Sequence, residues 1–346
     1  DFFVLEDAET SETILSRRYL YTDEMNIRHG VQFKYKNQRH SLTRALAYHY
    51  LMADGTPFQS QEGWQTMQYN QEFKNRDPRM AQTIAAPDYV AVGTDASTKY
   101  YPSCKDYDRS GYRPIKYFSD DTHDGAGTST TDYAIFRYGE VLLNYAEAKA
   151  ELGEADQTVI DQTVNVIRAR VGMPALDVTK ANGTPDAFLS SYYTDKHLDG
   201  PDKGLILEIR RERTVELVNE GFRLWDMLRW HEGQQLCPAS NTLGPGFIGC
   251  WFPGLGEYDM NNDGTPDLCI YTGSKPSTDC ENTLDVSEGK ENTLSEGTSG
   301  YLIQFKDQSY KWEEKDYLYP IPVKQIQIYP KDEATGESVL TQNPGY

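Results

Sequence analysis

Apolar residues recur with a helical period in three stretches of the chain. From near Asp132, the residues Ile135, Tyr138, Leu142, Tyr145, Ala146 and Leu152 follow at spacings of three and four until Gly153, which predicts a helix with one buried face. A second helix, from about Asp156 to Val171, sets Val159, Thr163, Val166 and Ile167 on one side and stops at Gly172-Met173-Pro174. The tight glycine-containing turn between them predicts an antiparallel pair, which needs further helices to bury its remaining faces. A third helix is predicted over roughly Lys203 to Trp230, with Leu205, Ile209, Leu217, Phe222, Trp225 and Leu228 as its apolar residues. Its charged residues, Arg210, Arg211, Glu212, Arg213, Glu216 and Glu220, read as ion-pair ladders on the exposed or interfacial side. Trp225 and Trp230 lie on the apolar stripe and are assigned to the core.

Elsewhere the pattern is broken. Up to Ile84, turn signals such as Ala53-Asp54-Gly55-Thr56-Pro57 and Asn75-Arg76-Asp77-Pro78 separate short runs, predicting short helices and long loops. From Pro87 to Thr131, Gly, Ser, Thr, Asp and Tyr dominate, with brief strand candidates such as Tyr112 to Phe118. The stretch 234–300 is rich in Cys, Gly, Asn and Asp, too long for an ordinary connection, and reads as an ordered, stapled loop excursion within one domain over 1–346. The predicted class is mainly α: a tetratricopeptide-like helical scaffold with long irregular loops and a few short strands.

Charge narrows the ligand class. With 53 acidic against 34 basic residues the formal net charge is -19, a field that repels phosphate backbones, so nucleic acid and anionic membrane surfaces are poor partners. No apolar run approaches the ~20 residues that cross a bilayer. Four of the five cysteines, Cys237, Cys250, Cys269 and Cys280, fall in the excursion without CxxC spacing, which favours disulfides in an oxidising compartment over zinc. The short-range pairings are Cys237 with Cys250 and Cys269 with Cys280, leaving Cys104 odd, although spacing does not settle connectivity. Tyrosine, at 25 residues against 12 Phe and 5 Trp, suits a wet surface for flat ligands.

The candidate chemistry is binding. Glu140, Glu147, Glu216 and Glu220 next to the Arg-Arg-Glu-Arg run raise the idea of a two-carboxylate glycosidase, but acids spaced along helices beside arginines read first as ion-pair partners. The six histidines are scattered, and no nucleophile or dinucleotide fingerprint accompanies them. Better ligand candidates are the loop aromatics Trp64, Tyr69, Tyr107, Tyr112 and Tyr117, with Gln61, Asn70, Lys105, Asp106 and Arg109 as neighbours. Aromatic faces stack on the CH-rich faces of sugars, while nearby amide and charged groups pair with hydroxyls. The segment from Asp259 to Asp267 places Asp259, Asn261, Asp263, Thr265 and Asp267 at alternate positions with Gly264 sixth, as a calcium loop requires; Ile270 stands where a bidentate Glu closes such a loop, so another ligand or water must complete the shell. A structural calcium pinning the excursion is therefore expected.

Several segments together resemble the SusD/RagB family: Phe136-Arg137-Tyr138-Gly139-Glu140 through Ala148, Ile209 to Arg213, Glu220-Gly221-Phe222-Arg223-Leu224-Trp225-Asp226, Tyr319-Pro320-Ile321-Pro322 and the terminal Asn343-Pro344-Gly345-Tyr346. Met52-Ala53-Asp54-Gly55 and Asn75 to Arg79 are similar as well, so the resemblance runs through nearly the whole chain. It implies a surface lipoprotein of Bacteroidetes that captures glycans and sits as a lid on a SusC-like TonB-dependent transporter, without cleaving the sugar. Family members usually begin with a signal peptide, a lipidated cysteine and further repeat helices; by that comparison this chain looks like a carboxy-terminal portion, with membrane contact only through an anchor outside it. A glycoside hydrolase or lyase and a helical protein-interaction scaffold are the rival readings.

Overall fold

The computed structural model describes residues 2–37, 40–90, 100, 102–105, 108–194, 198–236, 247–304 and 311–346. Strands β1 (Thr13–Arg17), β2 (Leu20–Tyr21) and β3 (Asn26–Ile27) come first, followed by helices α1 (Val31–Asn37), α2 (Arg44–His49), α3 (Tyr69–Glu72) and α4 (Pro78–Thr83), then β4 (Tyr133–Arg137). The central helices are α5 (Tyr138–Glu151), α6 (Gln157–Asp161), α7 (Val164–Arg170), α8 (Val178–Gly183), α9 (Ala187–Tyr192), α10 (Lys203–Glu216) and α11 (Arg223–Arg229). Strands β5 (Phe247–Phe252), β6 (Gly256–Tyr258), β7 (Leu268–Tyr271), β8 (Asn282–Asp285), β9 (Asn292–Leu294) and β10 (Gly300–Gln304) precede α12 (Val323–Ile328).

The three long predicted helices are all cut shorter. The first begins at Tyr138, because Tyr133–Arg137 pairs antiparallel with β1, Thr13 opposite Arg137 and Arg17 opposite Tyr133. Aromatic and β-branched residues favour that strand. On α5 the buried side is Leu142, Leu143, Ala146 and Ala150, whereas Tyr138, Val141 and Tyr145 are 48%, 44% and 48% exposed. The second helix does open at Asp156, whose side chain caps it by accepting from Val159 N (2.9 Å), but it breaks at Gln162-Thr163 into α6 and α7. The third divides at Leu217 to Phe222, where Asn219 and Gly221 take positive φ of 61° and 90°. That turn rotates the second piece: Trp230 stays in the core, but Trp225 is 57% exposed, contrary to its assignment from periodicity.

The excursion is not an irregular loop over its described part. Residues 247–304 form two small sheets, β5-β10-β9 antiparallel throughout, and β6-β7-β8 with β6 antiparallel and β8 parallel to β7. Their inward residues Cys250, Phe252, Leu268, Ile270, Leu284 and Leu302 join Tyr50, Tyr69, Met80, Ile84 and Tyr112 in one apolar cluster. The excursion is thus part of the core, which its Gly and Asx content concealed. Cys237 lies outside the described residues. The other four, Cys104, Cys250, Cys269 and Cys280, are buried free thiols in this structure, so the expected Cys269–Cys280 bond is not formed in it; the Cys250 sulfur lies against that of Cys104, and Cys269 and Cys280 are close enough to influence each other electrostatically.

Candidate functional site

The expected ligand aromatics do not form a surface. Tyr69 and Tyr112 are fully buried in the first cluster; the Tyr69 hydroxyl donates to Ala85 O, and that of Tyr112 to Glu72 Oε2 (2.6 Å). Tyr117 is buried too, stacked between Tyr35 (5.5 Å) and Tyr133 (6.0 Å), with its hydroxyl on Asn219 O (3.2 Å). A buried Tyr needs such a partner for its polar tip, and here each has one, so these three serve the core. Trp64 is half-buried, its ring against Tyr48 at 5.0 Å and Phe58 at 6.4 Å. Tyr107 lies outside the described residues, as does Asp106.

Of the four glutamates considered for a glycosidase, Glu147, Glu216 and Glu220 are spent on arginine and lysine side chains, whereas Glu140 accepts from Asn144 Nδ2 (3.4 Å) on the surface of α5. Every residue from Ile209 to Glu216 of α10 is buried, so the charges form an internal network and not exposed ladders. Glu212 accepts from Arg79 (2.5 Å) and Arg168 (3.0 Å); Glu216 from Arg137 (2.9 Å), Arg170 (2.8 Å) and Arg79 (3.2 Å). Glu220 pairs with Arg137 (2.6 Å) and Lys116 (2.6 Å), and Glu147 with Arg229 (2.6 Å) and the Trp230 indole (2.5 Å). Burial by itself raises the Glu216 carboxyl, but Arg137, Arg170 and Arg79 outweigh it and hold it well below the usual carboxylate range. Glu212 is likewise lowered, Arg79 and Arg168 overcoming its burial. A general acid in glycoside hydrolysis needs the opposite shift. A hollow of about 560 Å³ opens beside this network at Phe3, Lys116 and Arg170, but its charged walls already satisfy one another.

A second hollow, of about 320 Å³, has the right chemistry for a polyhydroxyl ligand. Along β5 the residues alternate: Cys250 and Phe252 point into the core, so Trp251 points out and stays half-exposed. The half-exposed Tyr258, at the end of β6, packs edge-on against Phe252 at 5.1 Å with its hydroxyl on Gly254 O (2.6 Å). Gln68, Asn70, Glu257 and Asp259 supply polar groups around the two rings. Asn70 Nδ2 donates to Asp259 O (3.1 Å) and so ties the α3 wall to the strand wall. Of the residues singled out from sequence, Tyr69 reaches this hollow as its buried floor and Asn70 as its wall; Trp251 and Tyr258 were missed. Their signal was the alternation Gly249-Cys-Trp-Phe252 and an aromatic just ahead of the acidic loop.

That acidic loop closes on itself. Asp259 accepts from Asp263 N (3.2 Å) and Gly264 N (2.8 Å), Asn261 Oδ1 from Asp263 N (2.9 Å), Asp263 from Thr265 N (2.8 Å) and Asp267 from Met260 N (2.8 Å). Asn262 and Gly264 take positive φ of 58° and 90°, which turns the chain sharply within the loop. Burial first, then the charges of Asp263 and Asp259, push the Asp267 carboxyl up. The donor set is all oxygen, as calcium prefers, and a divalent cation would relieve that repulsion. Among the described residues no group of three or more His, Cys, Asp or Glu side chains is already gathered as a metal site. Ile270 is buried in β7 and contributes only packing.

Comparison with known proteins agrees with this architecture. The SusD family model matches residues 12–346. A curated SusD-like protein of Formosa agariphila is 29% identical over 113 residues, 33% of this chain and 20% of that protein. A solved SusD-like protein of Bacteroides fragilis superposes with a TM-score of 0.54 at 22% identity, covering 97% of this chain and 54% of its own. A SusD-like carbohydrate-binding protein from the same species gives 0.55 at 22% identity, covering 91% and 53%. The chain therefore spans about half the length of these solved relatives, which share its fold. With the family model matched over nearly its whole length, the chain belongs to the SusD family.

Proposed function

We propose that this chain binds an oligosaccharide or polysaccharide, without cleaving it, in the cleft between Trp251 and Tyr258, and that it does so at the cell surface. Two half-exposed aromatic rings surrounded by amide and carboxylate groups carry the reading: rings stack on sugar faces, and polar groups select hydroxyls at a wet site. The carboxylates of α10, paired to arginines and held ionised, offer no general acid in that network, which supports binding without hydrolysis there. As a surface protein held by a lipid anchor, it would pass the glycan to a SusC-like TonB-dependent transporter. Affinity is modest in this scheme, because sugars exchange water hydrogen bonds at little net gain and transfer requires release. Residues 1–346 act as one unit on a tetratricopeptide-like scaffold, and a structural calcium in the loop 259–267 stiffens one side of the cleft.

Affinity electrophoresis on a panel of polysaccharides, with reducing ends assayed in parallel, tests this. Retention without sugar release is expected, and Trp251→Ala should weaken retention about tenfold, as ~1.5 kcal/mol of lost ring contact implies. Unchanged retention in that variant rules out the cleft; released sugar rules out the non-catalytic role. The interaction-scaffold reading draws on a different observation, the exposed row Tyr138, Val141 and Tyr145 on one face of α5.

A further inference from the structure

We propose that Cys104 and Cys250 are joined by a disulfide in the mature protein, stapling the segment before Asp108 to the first strand of the excursion. The two positions are brought together by a turn built for close approach. Asp108 holds the loop by accepting from Ser103 N (3.0 Å) and Ser103 Oγ (2.5 Å), and its carbonyl accepts from Gly111 N (2.7 Å). Cys250 N then donates to Ser110 O (2.8 Å), docking β5 against the turn. Glycines stand at both faces of this contact. A Cβ on Gly249 would overlap the Ser110 carbonyl, and one on Gly111 would overlap Cys250 Sγ while standing 3.4 Å from Cys104 Sγ. Both sulfurs therefore converge on the small space beneath Gly111, within hydrogen-bonding reach of each other and both fully buried. Cys104 itself takes a positive φ of 56°, a conformation that the surrounding turn imposes.

Bond formation needs a two-electron oxidant, which we assign to the disulfide-bearing thiol class that serves exported proteins. One protein thiolate attacks a sulfur of the oxidant and expels its partner as a thiol. The second protein thiolate then attacks the mixed disulfide and expels the other; one S–S bond forms in the protein, one breaks in the oxidant, and the two protein protons end on the leaving thiols. Contact with Cys250 and burial push the Cys104 thiol well up once the chain is folded, so exchange must precede closure of the core.

The test is peptide mapping after refolding the whole chain from denaturant in a mixture of oxidised and reduced glutathione, with free thiols then blocked in denaturant. A peptide linking Cys104 to Cys250, lighter by two hydrogens than the separate thiols, is expected. Recovery of both cysteines in blocked form, or of Cys250 linked to Cys237, would overturn the assignment. In a Cys237→Ser variant the Cys104–Cys250 peptide should persist undiminished; its loss there counts against the direct bond. Because the oxidant is supplied, neither result depends on where the protein is exported or on whether it binds glycan.

Discussion

At the residue scale the charges of α10 decide most. Glu216 is buried under three guanidinium groups, and removing a buried partner leaves charge uncompensated. Glu216→Ala should therefore cost about 3–5 kcal/mol, read as a shifted denaturant midpoint. The same pairs set the acid response. Glu212 and Glu216 titrate lower folded than unfolded, so their stabilisation is in place above the ordinary glutamate range and is lost as pH falls through the folded value. His49 adds an earlier step: its burial, and then Arg223, depress it well below 6.5, so the folded state favours neutral imidazole and loses stability as pH drops below that value. The melting temperature should fall in two stages on acidification, the first near neutrality. His49→Gln should shrink that first stage to the share left by His29, which burial also depresses; an unchanged first stage would assign it to other groups.

At the element scale short helices depend on their ends and contacts more than on length. Asp156 caps α6 from an exposed position, so Asp156→Ala isolates the cap and should cost about 1 kcal/mol in chemical denaturation. Gly204, in the first turn of α10, lies so close to α8 that a Cβ would overlap the Ala181 carbonyl. Gly204→Ala should thus destabilise by about 1–3 kcal/mol despite alanine's better helix propensity. A neutral or stabilising result would mean that α8 can move aside. Trp225 illustrates the limit of periodicity: its spacing fits the stripe, but the turn at 217–222 resets the phase, and only a structure containing that turn shows which face α11 buries.

At the scale of the whole molecule, the excursion and the helices share a core, so stiffening the loop 259–267 should be felt globally. If calcium binds there, chelation of a loaded sample should lower the melting temperature, by the equivalent of ~2.7 kcal/mol for metal at a hundred times its dissociation constant. No change on chelation would remove the metal and leave an Asx-rich turn. The net charge of -19 predicts poor association with polyanions at any salt concentration, checked by retention on immobilised heparin.

The sequence by itself determined the family, the polar acid-rich character, the presence of helix within 132–153, 156–171 and 203–230, and the start at Asp156 and stop at Gly153, because periodicity and end signals are local; it did not show the late start of the first helix or the breaks in the other two. It also drew attention to Asn70 and to the acidic loop flanking the cleft. Only the tertiary structure decided that Tyr69, Tyr112 and Tyr117 are core, that the Arg-Arg-Glu-Arg run is buried, and that Trp251 and Tyr258 face outward together. The reason is physical: a tyrosine or an arginine is amphipathic, and whether it is buried depends on a partner for its polar end. Those partners, Ala85, Glu72 and Asn219 for the tyrosines and Asp186 for Arg211, come from distant segments, and no spacing within a helix or a loop encodes them.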